Sequence, residues 1–191
     1  VERDYDAVLA LLGESIAKDE VSPFWEEVWY QLGIGIIARY RQVGMTPEAA
    51  YQRVDAAFQK YPEVKVLRLQ IRGSFWLSYG WEKRTDAFAP NVPEGGFRAM
   101  EKYGGDAKKA FEEAWKLRQN DARTANHMIS INEVTTGDRN DMEMWFDRAM
   151  RANGDNVEAC RAKLNWLEPK WHGTLEDMHA FGRACGETAT G

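Results

Sequence analysis

The chain is poor in the residues that most often carry chemistry, with three histidines and two cysteines among 191 residues. Two cysteines, Cys160 and Cys185, cannot form the disulfide framework of a small secreted domain, so a packed core must hold the fold. They bridge only if their helices meet, and two separate buried thiols are the expected arrangement. Basic stripes are also missing. The net charge is −5 with lysine and arginine dispersed, which argues against a nucleic-acid partner because phosphate binding needs clustered cations. No apolar run nears the ~18 residues of a membrane span; the longest, Leu32 to Ala38, has seven and includes two glycines. Gly-x-Ser-x-Gly, Cys-Gly-Ser-Cys, His-Glu-x-x-His and P-loop patterns are all absent, so no catalytic residue, cofactor or resident metal is expected. The chain opens on Val1 rather than Met. That fits a preceding segment having been removed, and the expected locations are the cytoplasm or, after signal removal, the exterior.

Aromatic surface is what the chain has in quantity: eight Trp, eight Phe and seven Tyr. Such side chains carry large buried areas, so most should pack between helices, with a few left to line a groove. Their placement is periodic. Phe111-Glu-Glu-Ala114-Trp115, Phe146-Asp-Arg-Ala149-Met150 and Phe181-Gly-Arg-Ala184-Cys185 recur with both Phe and Ala 35 residues apart each time. Phe and Ala three apart lie on one helical face, large beside small, so neighbouring helices can approach closely. One helix pair cannot bury that face alone, whereas stacked pairs can.

A 35-residue period, together with Trp29-x2-Leu32-Gly33-x2-Ile36 and then Ala50-x3-Val54-x2-Ala57 before Pro62, resembles the tetratricopeptide-repeat (TPR) superfamily. Ala107-x3-Phe111-x2-Ala114 is similar again. Gly137-Asp138 followed by Met142, Phe146 and Ala149 looks like a third copy, with Gly154 where the family has Pro, and Cys160, Leu164 and Leu167 fit loosely. The stretch from Leu167 through Trp171, Gly173 and Thr174 to Cys185 also resembles a group of bacterial TPR-like proteins with no established activity. The resemblance implies an all-α fold: one domain over 1–191, an α-α superhelix of TPR-like hairpins with one irregular insertion. It implies little about function, since such arrays serve many ends.

Local signals place the helices at about 2–18, 23–42, 47–60, 63–79, 94–103, 106–118, 121–135, 139–152, 156–167 and 174–186. Ser22-Pro23 and Thr46-Pro47 read as an N-cap followed by Pro at the first helical position. Gly44 fits a helix end. Asp155-x-x-Glu158 and Thr174-x-x-Asp177 resemble capping boxes. Gly33-Ile-Gly35 reads as close helix packing. The repeat spacing breaks once: Ala57 to Ala114 is 57 residues, 22 more than one period. The surplus is assigned to an insertion at about 80–105, expected to be ordered because it keeps Trp81 and Phe88. Insertions in repeat arrays map to one face, often the binding face.

Site candidates cluster there. Phe75 and Tyr79 share a helical face and Trp76 lies on another, so one set should be core while the other floors a groove. Glu82, Arg84 and Asp86 beside Trp81 read either as a solvated ion-pair loop or as a polar binding group. The expected contacts are Trp76, Tyr79, Trp81, Glu82, Arg84, Asp86 and Asn126. The leading reading is a soluble, non-catalytic module that binds a protein or peptide, itself a monomer or weak homodimer. The alternative is small-ligand or carbohydrate binding in an aromatic groove near the insertion, which requires a cavity of a few hundred Å³. A third reading, an enzyme using Glu82, Asp86 or His127, requires those groups within hydrogen-bond reach in one cleft. His172 and His179, with Cys185, form only a weak metal-ligand pattern, and a surface or capping role is expected for His172. Trp171 should pin its loop to the core.

Overall fold

The computed structural model describes residues 5–18 and 23–189, in which every regular element is a helix and no strand occurs. The chain divides into two compact units, Val1–Leu117 and Arg118–Gly191. No helix of the described residues is long and apolar enough to cross a membrane.

The first unit contains α1 (Tyr5–Lys18), α2 (Pro23–Gln42), α3 (Pro47–Phe58), α4 (Lys65–Arg84) and α5 (Gly96–Leu117). Helix α2 ends in Gly44 at φ +92°, the left-handed turn anticipated there. Thr46 Oγ1 then accepts from the Ala49 amide, with Pro47 at the first helical position of α3. The corresponding expectation at Ser22 lies outside the described residues.

The core of this unit joins Trp29, Ile36, Val54, Phe58, Leu67 and Ile71, all nearly inaccessible. Leu32 turns outward instead, 39% exposed. Gly33 is where α2 and α4 come close: a Cβ there would lie 2.7 Å from Ile71 Cδ1. Gly35 faces open space, so the close-packing role belongs to Gly33 alone. Phe111, fully buried, presses into a notch that Gly73 leaves in α4, with no room for a Cβ beneath its ring.

The insertion takes a form the sequence did not suggest. Residues assigned to two short helices, 94–103 and 106–118, are one continuous helix, α5, that runs through Gly104 and Gly105. Gly104 is buried and Gly105 meets nothing within 4 Å. Intrinsic propensity suggested a break at the glycine pair, but packing along the length of α4 overrides it. Helix α4 likewise runs on to Arg84 rather than stopping near 79. The surplus residues therefore lengthen an α4–α5 hairpin and its connecting segment.

The second unit contains α6 (Ala122–Val134), α7 (Arg139–Ala152), α8 (Val157–Trp166) and α9 (Leu175–Ala189). Asp121 and Asp138 cap α6 and α7 by accepting from Thr124 and Asp141 amides. Helix α8 is capped by Asn156, which accepts from Ala159 N, and not by Asp155. Asn156 wins because its amide group also exchanges two hydrogen bonds with Asn126, which a carboxylate cannot do. At α9 the capping box forms: Thr174 Oγ1 accepts from Asp177 N, and Asp177 Oδ2 accepts from Thr174 N. Met128, Ile129, Ile131, Met142, Ala149, Trp166 and Leu167 form the interior. The recurring Phe–Ala unit lies on α5, α7 and α9.

Candidate functional site

Helix α4 is amphipathic in two senses, and this separates the residues expected to act together. One flank carries an aromatic ladder. Tyr51 stacks on Phe75 at 4.6 Å, Phe75 on Tyr79 at 5.8 Å, and Trp76 lies parallel to Tyr103 of α5 at 5.3 Å. Tyr79 is buried. Its hydroxyl is engaged by Glu48 of α3 and by Lys83. Burial first, then the bond to Glu48, pushes that hydroxyl above its ordinary titration range, while the Tyr79 bond holds the Glu48 carboxyl below its own. The Phe75/Tyr79 set is thus the core set. Trp76 keeps part of its surface accessible but is committed to Tyr103. Glu82 looks toward α2, where Arg41 pairs with its carboxylate.

Trp81 and Arg84 fall on a different flank, two and five residues beyond Tyr79. The Arg84 guanidinium lies 5.2 Å from the Trp81 ring and 5.2 Å from the Phe97 ring of α5, and donates to the Thr85 carbonyl at 2.9 Å. Such cation–π contacts fix the position of a guanidinium. Thr85, which ends α4, has φ +67°, an uncommon conformation for a β-branched residue. Strain of this kind persists only where the surroundings enforce it, and it concentrates at functional sites.

Between α4 and α5 the chain makes a 3-10 turn at Ala89–Asn91 and returns through Gly95 at φ +80°. Gly96 then lies so close to the end of α4 that an added Cβ would sit 3.2 Å from Arg84 Cα and 2.7 Å from Val92 Cγ1. Order in the segment comes from this closure and from the Thr85 N–H bond to Trp81 O, not from Phe88 as the sequence suggested. Phe88 is 80% exposed and Phe97 53% exposed. Pro90 and Pro93 are exposed beside them, and no charge interrupts residues 87–93. Asp86 is exposed at the edge of this tip.

The expected residues therefore do not form one patch. Trp81 and Arg84 come together; Trp76, Tyr79 and Glu82 lie on another flank; Asn126 belongs to the second unit, paired with Asn156. Phe97 was missed although the helix start near 94 was anticipated, because nothing local shows that its ring meets Arg84 across the hairpin. Its signal was the short spacing to Gly95-Gly96, which marks a chain reversal.

The second unit holds a polar network that runs from buried Asn132, Glu133 and Trp166 out to half-buried Asn165 and exposed His172. Asn165 Nδ2 donates to Glu133 Oε2 at 2.7 Å, Trp166 Nε1 donates to Asn132 Oδ1 at 2.7 Å, and the His172 imidazole bonds the Glu133 carbonyl at 2.7 Å. His172 precedes α9, and its ring fills the space beside Gly137 (φ +60°), where an added Cβ would collide with His172 Cε1. Trp171 is half-buried beside it. Burial pushes the Glu133 carboxyl up to about 7 against the relief given by Asn165. His127 is held down to about 4 by burial and by Arg123. Among the described residues no three His, Cys, Asp or Glu side chains converge as a metal site would require.

Cys160 and Cys185 were expected apart and are not. Neither is in a disulfide, and the two thiols lie within hydrogen-bonding reach where α8 meets α9.

No protein-family model, no curated protein and no solved structure matches this chain.

Proposed function

We propose that the protein is a non-catalytic, TPR-like interaction module, and that the tip of the α4–α5 hairpin is the surface that engages a protein partner. One observation carries the reading: two phenylalanines, Phe88 and Phe97, stand largely in solvent on a tip closed by tight backbone contacts. Exposed aromatics on a rigid frame lose little entropy on binding, and buried aromatic and Arg anchors dominate interface energies. Arg84 supplies the second element, a guanidinium held against two rings that places a cation beside the phenylalanines. The partner's complementary surface would be an apolar cleft with an acidic or carbonyl-rich rim.

The test places a photo-crosslinking phenylalanine analogue at position 88 of the full chain in the lysate of the source cells. A discrete adduct of protein mass supports the reading, provided that Arg84→Ala and Phe97→Ala each diminish it. Both variants must melt like the parent chain. Absence of an adduct, or one that both variants leave unchanged, removes the tip as a recognition surface.

A further inference from the structure

The second unit contains a cavity of about 490 Å³, which falls within the range of small-molecule sites. Helix α7 contributes Phe146 and Met150, α8 contributes Cys160, and α9 contributes Phe181 and Cys185. The recurring unit explains why aromatics meet here. Phe146 and Phe181 hold the same repeat position on α7 and α9, and their rings stand edge to face at 5.5 Å. Helix α9 packs on its neighbours more loosely than α6, α7 and α8 pack on one another, which leaves the space open.

The chemistry of the wall is uniform except at one point. Cys160 is pushed up by burial and then by its neighbour Cys185, so that thiol stays neutral at physiological pH. Lys163, whose ammonium lies 4.3 Å from the Phe146 ring and 4.9 Å from the Phe181 ring, is paired with Glu143. The Asn156 side chain is committed to Asn126, Ala159 and Ala149. Of the residues that line the cavity only Asp155 is charged, and it is exposed; the Lys163–Glu143 pair lies behind the two rings as a mutually compensated pair. An apolar hollow with a single carboxylate at its edge fits a ligand with an apolar body and one positive end.

We propose that this cavity binds a small aromatic amine, its ring against Phe146 and Phe181 and its ammonium at Asp155. The site lies in the second unit and is independent of the hairpin tip.

Calorimetric titration of the full chain with 1-naphthylmethylamine, beside 1-naphthylacetate as the same ring with opposite charge, tests this. The amine should bind about fivefold more tightly, the worth of one exposed charge pair. Asp155→Asn should abolish that preference while keeping ring binding. Ala184→Phe, which fills the cavity from α9, should abolish binding of both. In the parent chain the amine should also slow maleimide modification of Cys160 and Cys185, a readout that needs no variant to fold. Failure of either compound to bind, equal affinity for the two, undiminished binding to a folded Ala184→Phe, or unprotected thiols would each overturn the proposal.

Discussion

Glu133 and His127 lie on the same helix, α6, and should pull the pH dependence of stability in opposite directions. A Glu in the unfolded chain titrates near 4.5 and Glu133 in the fold near 7, because burial disfavours its charge. The native state therefore holds a proton that the unfolded state has released. Stability is full below about pH 4.5, declines as pH rises, and levels off above about 7. At about 1.4 kcal/mol per pH unit of separation, ionising Glu133 inside the unit costs about 3 kcal/mol. His127 has the reverse sign: held down to about 4 against an ordinary 6.5, it makes the native state shed a proton early, so its contribution grows as pH rises through that window. His127 keeps part of its surface accessible, so its effect should be the smaller. The two partly cancel in the parent chain, and only variants separate them. Hydrogen exchange at the backbone amides of α6 and α8, between pH 5 and pH 8, gives the opening free energy of this unit without requiring the whole chain to unfold at once. Glu133→Gln keeps an oxygen to accept from Asn165 and removes the titration. Relative to the parent chain it should gain about 3 kcal/mol at pH 8 and little at pH 5. An identical pH profile for the two proteins would refute the burial argument.

Other perturbations follow from packing. Gly73→Ala should destabilise the first unit by about 1–3 kcal/mol in urea melts, because its Cβ meets the Phe111 ring. Gly80→Ala should cost less, since the atom 2.9 Å away is the flexible sulfur of Met100. Phe111→Ala should cost about 3–5 kcal/mol, as expected for a fully buried ring. Asp55→Ala removes the acceptor of both Arg68 nitrogens and of the Tyr51 hydroxyl, and a loss of about 1–3 kcal/mol should appear in the same melts. Phe88→Ala, at an exposed position, should shift stability by no more than about 0.5 kcal/mol while lowering partner capture.

The all-helical class was legible because Phe–Ala spacing and N-cap residues act locally, within a turn or two. Thr46, Gly44 and the Thr174–Asp177 box do in the fold what their side chains dictate in isolation. What escaped was decided by distant neighbours. Gly104-Gly105 reads as a break until α4 is alongside it. Asp155 reads as a cap until Asn126 favours Asn156. Cys160 and Cys185 read as separate until α8 and α9 are seen to meet. The candidate site suffered in the same way. Trp76, Tyr79 and Trp81 are neighbours in sequence, but α-helical geometry sends Trp81 to a flank that only α5 completes, through Phe97. Phe88 looked like an anchor because aromatic residues usually are, and its exposure could not be inferred from composition.

The long hairpin has a consequence for how such a chain can change. From Gly96 to Ala114 is 18 residues, whereas the equivalent stretch from Arg139 to Ala149 is 10, so α5 begins about two helical turns early. Added length in whole turns returns the same face to the same neighbour. The extra turns are in phase with the rest of the helix, and Phe111 still finds Gly73. An outgrowth of this kind can be lengthened or trimmed in steps of one turn per arm without disturbing the register beneath it. The tip is then free to vary in reach and in chemistry while the base that folds the unit stays unaltered.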